Sequence, residues 1–384
     1  MPNTEPVPFF IPFTDSTEAN AVLDTIQSHW LTSGPRCRKF EEALAAYVGP
    51  GVEVVTVNSA TAGLHLALDA VGIGPGDEVL LPTLTFTATA EVVRYLGAVP
   101  VFVDVDPQTL NIDLAAAEAK VTNKSRAIMP VHFAGLPCNM NELGDLAARH
   151  NLHLIEDAAH ALSASQGDKR IGAFESAATV FSFYANKTIT TGEGGAVATR
   201  DPDLAKRMRV MRTHGIDRDV SERFRTSSWQ YDVIAPGFKY NMTDIAAAMG
   251  IEQLKKADTA RDLRHARAVS YLERLADLPL YLPAPGPNED AHAWHIFPIR
   301  VKREAPVSRN ELAAAFSKAK IGFSVHYRPL HQMSYWAEKF VSPQDSFPVA
   351  DEHFDTTLSL PLFPGMTDAQ QDRVVEVLRN CLKG

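Results

Sequence analysis

Between residues 50 and 200 short apolar runs recur at 52–57 (VEVVTV), 77–82 (DEVLLP), 99–105 (VPVFVDV), 127–133 (AIMPVHF), 152–157 (LHLIED) and 178–183 (ATVFSF). No other feature limits the possible folds as strongly. Segments with helical patterning, such as TAGLHLALDAVG and MNELGDLAARH, separate the runs. Runs this apolar are strands covered on both faces, and their alternation with helices builds βα units around a mainly parallel sheet. Ligands in such sheets bind beyond the carboxyl ends of the strands, so chemistry is expected in the residues just after each run.

The rest of the chain reads differently. Residues 201–235 are charged, irregular and rich in arginine and aromatics, the composition of a long surface excursion. The segment TDIAAAMGIEQLKKADTARDLRHARAVSYLERLADL has helical spacing and predicts one long connecting helix, ended by the proline-rich LPLYLPAPGPNEDAHAW. Strand-like runs at 295–301 (HIFPIRV) and 321–327 (IGFSVHY) then alternate with helices around RNELAAAFSKAK and TDAQQDRVVEVLRNCL. The expected organisation is a large domain over 1–254 and a smaller α+β domain over 255–384, since 384 residues exceed a typical single core.

Composition narrows the function. A net charge of −9 argues against nucleic-acid binding, which draws its affinity from a basic face. Cys37, Cys138 and Cys381 are odd in number and have no CxxC spacing, so neither a disulfide framework nor a zinc site is expected. The N-terminal MPNTEPVPFFIPFTDSTEAN lacks the pattern of a secretory leader, and no run reaches the roughly 18 apolar residues of a membrane span. A soluble cytoplasmic protein is expected, with no metal.

Three strand ends carry residues that chemistry could use. In VNSATAGLHLAL, Ser59, Ala60 and Thr61 open a helix directly after a strand, and hydroxyls with free amides at a helix start can hold a phosphate. They also suit an ordinary N-cap. In LIEDAAHAL, Asp157 places a carboxylate at the ligand-binding edge, where it either meets a cation or caps the next helix, with His160 nearby. In FSFYANKTITTGEGGA, Lys187 follows an apolar run and precedes three glycines. Partial desolvation would free its amine to form an imine, and the glycines would let backbone pass close to a flat ligand. A surface lysine in a glycine-rich hairpin is the alternative. Taken together, cup, carboxylate and lysine in that chain order meet the needs of pyridoxal phosphate on a type I, aspartate-aminotransferase-like α/β fold.

The chain resembles the DegT/StrS family of pyridoxal-phosphate-dependent sugar aminotransferases over nearly its whole length. The resemblance rests on WLTSGPRCRKFEEALAAYVG, VNSATAGLHLAL, GDEVLLPTLTFTATA, MPVHFAGLPCNM, IEDAAHAL, FSFYANKTITTGEGGAV, GFKYNMTDIAAAMGIEQL, HAWHIFPIRV, HYRPLH and SLPLFPGMT. It implies that Lys187 is the Schiff-base lysine and general base, and that Asp157 partners the pyridine nitrogen. It also implies Phe86 over one face of the ring, His160 beside the cofactor, and Ser59, Ala60, Thr61 and Ser182 around the phosphate. Asn241 matches an asparagine that reaches the phosphate from a neighbouring subunit, which implies a homodimer with shared sites. Substrate contacts are implied for Trp30, Thr32, Ser33, Tyr184, His326, Tyr327 and Arg328, with His214, Arg218, Arg223, Arg225, Trp229 and Tyr231 as loop candidates.

The implied reaction is a ping-pong transfer from L-glutamate, leaving 2-oxoglutarate, to the keto carbon of a nucleotide-linked sugar through pyridoxamine phosphate. IEDAAHA, KYNMTDI, HAWHIFPIRV and VHYRPLH look most like enzymes that aminate C4 of a UDP-linked sugar for lipopolysaccharide or other glycans. The alternatives are an aminotransferase of a cyclitol or other non-nucleotide ketone, a dehydratase of the same superfamily, against which Lys187 speaks, and a non-catalytic relative keeping the fold.

Overall fold

The computed structural model describes residues 5–217, 230–286 and 291–383. Each of the early apolar runs becomes a strand: β1 (Glu53–Val57), β2 (Glu78–Pro82), β3 (Val99–Val103), β4 (Ser125–Ile128) and β5 (His153–Asp157). After the two-residue strands β6 (Ser165–Gln166) and β7 (Lys169–Arg170) come β8 (Ala178–Ser182) and β9 (Gly195–Thr199). Seven strands form one sheet in the order β1-β9-β8-β5-β4-β2-β3. Only β9 runs against its neighbours, and the other pairs from β8 to β3 are parallel. The expected mainly parallel α/β sheet is thus present.

Alternation along the strands sends successive side chains to opposite faces. Val54 and Phe181 pack into one core with Phe40 and Leu44, while Val55, Val57 and Val180 pack into another with Leu64 and Leu66. Both faces are therefore buried, which is why these runs are continuously apolar rather than alternating. A fully buried leucine or phenylalanine contributes about 1.5–3 kcal/mol here relative to an exposed one.

The C-terminal part builds its own core. Strands β10 (Leu280–Tyr281), β11 (Phe297–Val301) and β12 (Thr357–Leu360) form an antiparallel sheet around which Tyr271, Trp294, Phe316 and Leu378 are buried. Val7, from the other end of the chain, joins the same cluster.

Several expectations change. The long connecting helix is two helices, Asp244–Lys255 and Ala257–Leu275. The break falls at Lys256, whose ammonium lies 2.5 Å from the buried Glu18 carboxylate and 3.1 Å from Asp15, so a tertiary ion pair sits where periodicity alone continued the helix. The supposedly irregular 201–235 begins with a helix, Pro202–Met211, capped by Asp201. Residues 321–327 form only single bridges, Ile321 to Val7 and Ser324 to Ser359, because two different partners divide the segment. Lys187 is not on a strand: β8 stops at Ser182, and Lys187 closes a turn onto the Tyr184 carbonyl (3.0 Å). Among the described residues, no helix is long and apolar enough to cross a membrane.

Candidate active site

The carboxyl ends of β1, β2, β5 and β8 meet at one edge of the sheet. A cavity of about 500 Å³ opens there, lined by Ser59, Ala60, Thr61, Phe86, Asp157, His160, Ser182, Tyr184, Lys187, His326 and Tyr327 among others. Eleven expected site residues thus converge on one space, although residues 59 and 327 stand far apart in the chain.

Ser59 caps the helix Ala60–Ala70, its hydroxyl oxygen accepting from the Ala62 amide at 3.1 Å. The cap and cup readings coexist, because that hydroxyl still has its proton to donate. The amides of Ala60 and Thr61 find no acceptor among the described residues. They face the cavity at the positive end of a helix, where an anion is favoured. Ser182, at the end of β8, contributes a second hydroxyl to the same wall.

One of the glycines has a task besides the one expected. A Cβ on Gly195 would lie 2.8 Å from Ser59 C, Ala60 N and Phe181 O, and one on Gly194 would collide with Thr191. Gly195 lets β9 pass against the helix start, while Gly194 lines the cavity, where a glycine lets backbone come close to a ligand. Gly192, at φ +81°, supplies the left-handed turn residue before them.

Asp157 ends β5, 6% exposed, with Oδ2 accepting from Thr89 Oγ1 at 2.9 Å and Oδ1 from the Ala159 amide at 3.2 Å. Burial pushes its carboxyl above the usual range, against the pull of those two donors and of Lys187. The Lys187 residue keeps partial exposure through the cavity mouth, yet protein surrounds its amine. Burial lowers the amine to about 8, with Asp157 partly opposing the shift. A neutral amine is therefore accessible near physiological pH.

Opposite the sheet edge stands the segment of residues 326–328. His326 Nδ1 lies 2.8 Å from Ser359 Oγ, and the His326 carbonyl accepts from His353 Nε2 at 2.8 Å. Burial lowers the His326 imidazole to about 4 and holds His160 well below its ordinary value, so both are neutral at pH 7. Tyr327 lies across the cavity from Phe86, their ring centroids 6.3 Å apart, and its hydroxyl is 3.2 Å from His160 Nε2.

Other expected residues lie elsewhere in this chain. Arg328 is exposed and donates to the Gln332 carbonyl at 2.8 Å, away from the cavity wall. Trp30 donates through Nε1 to the Ser33 carbonyl (3.2 Å), and Asn241 Nδ2 donates to Ser33 Oγ (2.7 Å). Thr32 accepts from the Asp244 amide through its carbonyl. These residues form a cluster of their own, and none lines the cavity. His214 pairs with the Phe238 carbonyl and Tyr231 is exposed, both off the wall. Arg218, Arg223, Arg225 and Trp229 fall outside the described residues.

Thr89 escaped the sequence reading although it holds Asp157. The available signal was the pair Thr85 and Thr89, four residues apart in TFTAT, whose hydroxyls lie 2.7 Å from each other. A pyridoxal phosphate fits this donor set. Lys187 and Asp157 would meet its aldehyde and ring nitrogen, and the unpaired amides of Ala60 and Thr61 its phosphate.

Comparison with known proteins adds an independent line. The model of the DegT/DnrJ/EryC1/StrS aminotransferase family matches residues 12–379. The chain is 41% identical over 381 residues to the spore coat polysaccharide biosynthesis protein SpsC of Bacillus subtilis (strain 168), covering 98% of this chain and 97% of SpsC. Among solved structures, Spr1654 of Streptococcus pneumoniae in its PMP form is similar, with a TM-score of 0.91, 29% identity and 98% of each chain covered. DesV of S. venezuelae is similar with a TM-score of 0.88, 34% identity and the same coverage.

Proposed function

The chain belongs to the DegT/DnrJ/EryC1/StrS family of pyridoxal-phosphate-dependent sugar aminotransferases, and on that premise we propose that it moves an amino group from L-glutamate to C4 of a UDP-linked keto sugar. The observation that carries this reading is one cavity holding an amine lowered to about 8, a buried carboxylate and a helix start with two free amides. When bound through Lys187, the cofactor supplies an electron sink for the carbon that loses its proton. The neutral form of the Lys187 amine, accessible because burial lowers it to about 8, would move that proton between substrate and cofactor carbons. Asp157 would keep a proton on the ring nitrogen. Thr89 and the Ala159 amide fix the carboxylate for that purpose.

Phe86 and Tyr327 bring aromatic faces to the cavity, and Tyr184 and His326 line it as the residues that would meet the sugar. Thr32, Trp30, Ser33 and Asn241 serve a second copy's site in this reading, since they cluster off their own cavity wall, and the active unit is a cytoplasmic homodimer. Residues 1–254 form the cofactor domain and 255–384 the smaller domain, in keeping with the separate C-terminal core. Similarity to a polysaccharide biosynthesis protein supports a product used in surface glycans.

The test is a panel of keto substrates with L-glutamate, following release of 2-oxoglutarate. Turnover of UDP-4-keto sugars is expected. Turnover of an inosose without any UDP-keto sugar would overturn the substrate assignment in favour of a cyclitol.

A further inference from the structure

The helix Ala257–Leu275 buries one stripe, Ala257, Ala260, Arg264, Ala268, Tyr271 and Leu275, at the three- and four-residue spacing of a packed face. Arg264 stands in the middle of it, 4% exposed, where an apolar side chain is expected. The alanines one turn to either side leave room for its guanidinium. Among the described residues no carboxylate pairs with it, and its Nε is buried without a partner. It shares the lining of a space of about 10 Å³ with Lys187, Ile296, Leu360, Leu362 and Phe363. Burial lowers the guanidinium to about 10 with no carboxylate opposing the shift, so it is charged at pH 7. A buried charge without a counter-ion is costly, and well-packed apolar residues often serve stability as well or better at such a place. Packing alone therefore does not account for Arg264.

The guanidinium reaches the backbone that carries the reactive amine. Its terminal nitrogens donate to the carbonyls of Lys187 at 3.4 Å and Thr188 at 3.5 Å. No other donor among the described residues reaches either carbonyl. The rest of the turn is tied elsewhere: the Lys187 amide to the Tyr184 carbonyl at 3.0 Å, the Thr190 amide to Gln253 Oε1 at 3.1 Å, and the Thr191 amide to the Phe183 carbonyl at 3.0 Å. Those bonds hold the turn on either side, and Arg264 takes the two carbonyls between them. Both of its bonds are long. The grip depends on a charged donor and on a planar fork that spans neighbouring carbonyls, which a lysine ammonium lacks.

We propose that Arg264 is a positioning residue that clamps the backbone of Lys187 and so sets the line along which its amine meets the cofactor and the substrate carbon. This rests on the aminotransferase reading above.

The experiment compares the cofactor-loaded native chain with Arg264→Met, which keeps an unbranched side chain and removes the charge, and Arg264→Lys, which keeps the charge without the fork. It reads the limiting rate and the half-saturating concentration of L-glutamate in a single turnover, per folded chain. Arg264→Met is expected to lower the limiting rate about 10–100-fold, the order of loss that a small misplacement of a reacting group brings, with the half-saturating concentration within about twofold of native. Arg264→Lys should recover part of that rate. A native limiting rate per folded chain would leave Arg264 a packing residue, and a raised half-saturating concentration at native rate would make it a binder of the amino donor. Either result overturns the proposal, as do equal rates for the two variants. If Arg264→Met does not fold, Arg264→Lys decides alone: a lower rate at the native half-saturating concentration supports the clamp, and a native rate overturns it. The reading beneath it fails separately, when borohydride reduction adds no cofactor mass to the Lys187 peptide of the native chain, and then both fall together.

Discussion

Glu156 and Asp157 are consecutive carboxylates at the end of β5, both buried, yet they do opposite things. Glu156 points to one face of the sheet, where His132 Nε2 lies 2.8 Å and Thr179 Oγ1 2.7 Å from its oxygens. The His132 Nδ1 accepts the Cys138 amide at 3.0 Å, so its proton is on Nε2 and a neutral imidazole donates to the carboxylate. That network closes on itself. Asp157 points to the other face, takes two donors, and keeps the rest of its accepting capacity toward a cavity that also holds Lys187. Burial of a carboxylate is therefore no sign of function. The difference lies in whether the surrounding protein saturates it.

The comparison can be broken from either side. Glu156→Ala should cost about 2–5 kcal/mol of stability, since it strands two buried donors, on His132 and Thr179, at about 1–3 kcal/mol each, while each folded molecule keeps its rate. Denaturant midpoints and activity per folded chain check both halves. Asp157→Ala should show the reverse pattern, a loss of about 10²–10³-fold in the half-reaction with glutamate and no loss of stability in the cofactor-free chain. If the two variants behaved alike, the division of labour between the faces would be wrong.

Two finer measurements sharpen the open face. With the Lys187 amine lowered from 10.5 to about 8, the protonated form dominates below pH 8 and cannot attack an aldehyde. Capture of pyridoxal phosphate by the cofactor-free chain should hence fall about tenfold per pH unit below 8 and level off above it. A midpoint near 10.5 would mean that burial leaves the amine unperturbed. Thr89→Val removes one of the two donors to Asp157, and should slow the half-reaction roughly tenfold with little change in thermal midpoint.

Much of this was legible in the chain. Continuous apolar runs report strands covered on both faces, and the βα alternation places Ser59, Asp157 and Ser182 at one sheet edge without any coordinates. Cup, carboxylate and lysine in that order then pointed to the cofactor, and the resemblance in motifs to the family. Thr89 stayed hidden because a threonine at a helix start has an ordinary local explanation. The position of Arg328 was not legible either, because its bond to the Gln332 carbonyl depends on how the following residues fold back.

Local pattern determined the sheet, the order of its strands' chemistry and the family, because periodicity and short motifs are properties of neighbours in sequence. Tertiary structure alone decided which of two adjacent carboxylates is open, that Gly195 makes room for a helix start, and that Tyr327 meets His160 across 167 residues. Those outcomes depend on which groups are brought within hydrogen-bonding distance and which are desolvated. Only the packed chain sets such distances.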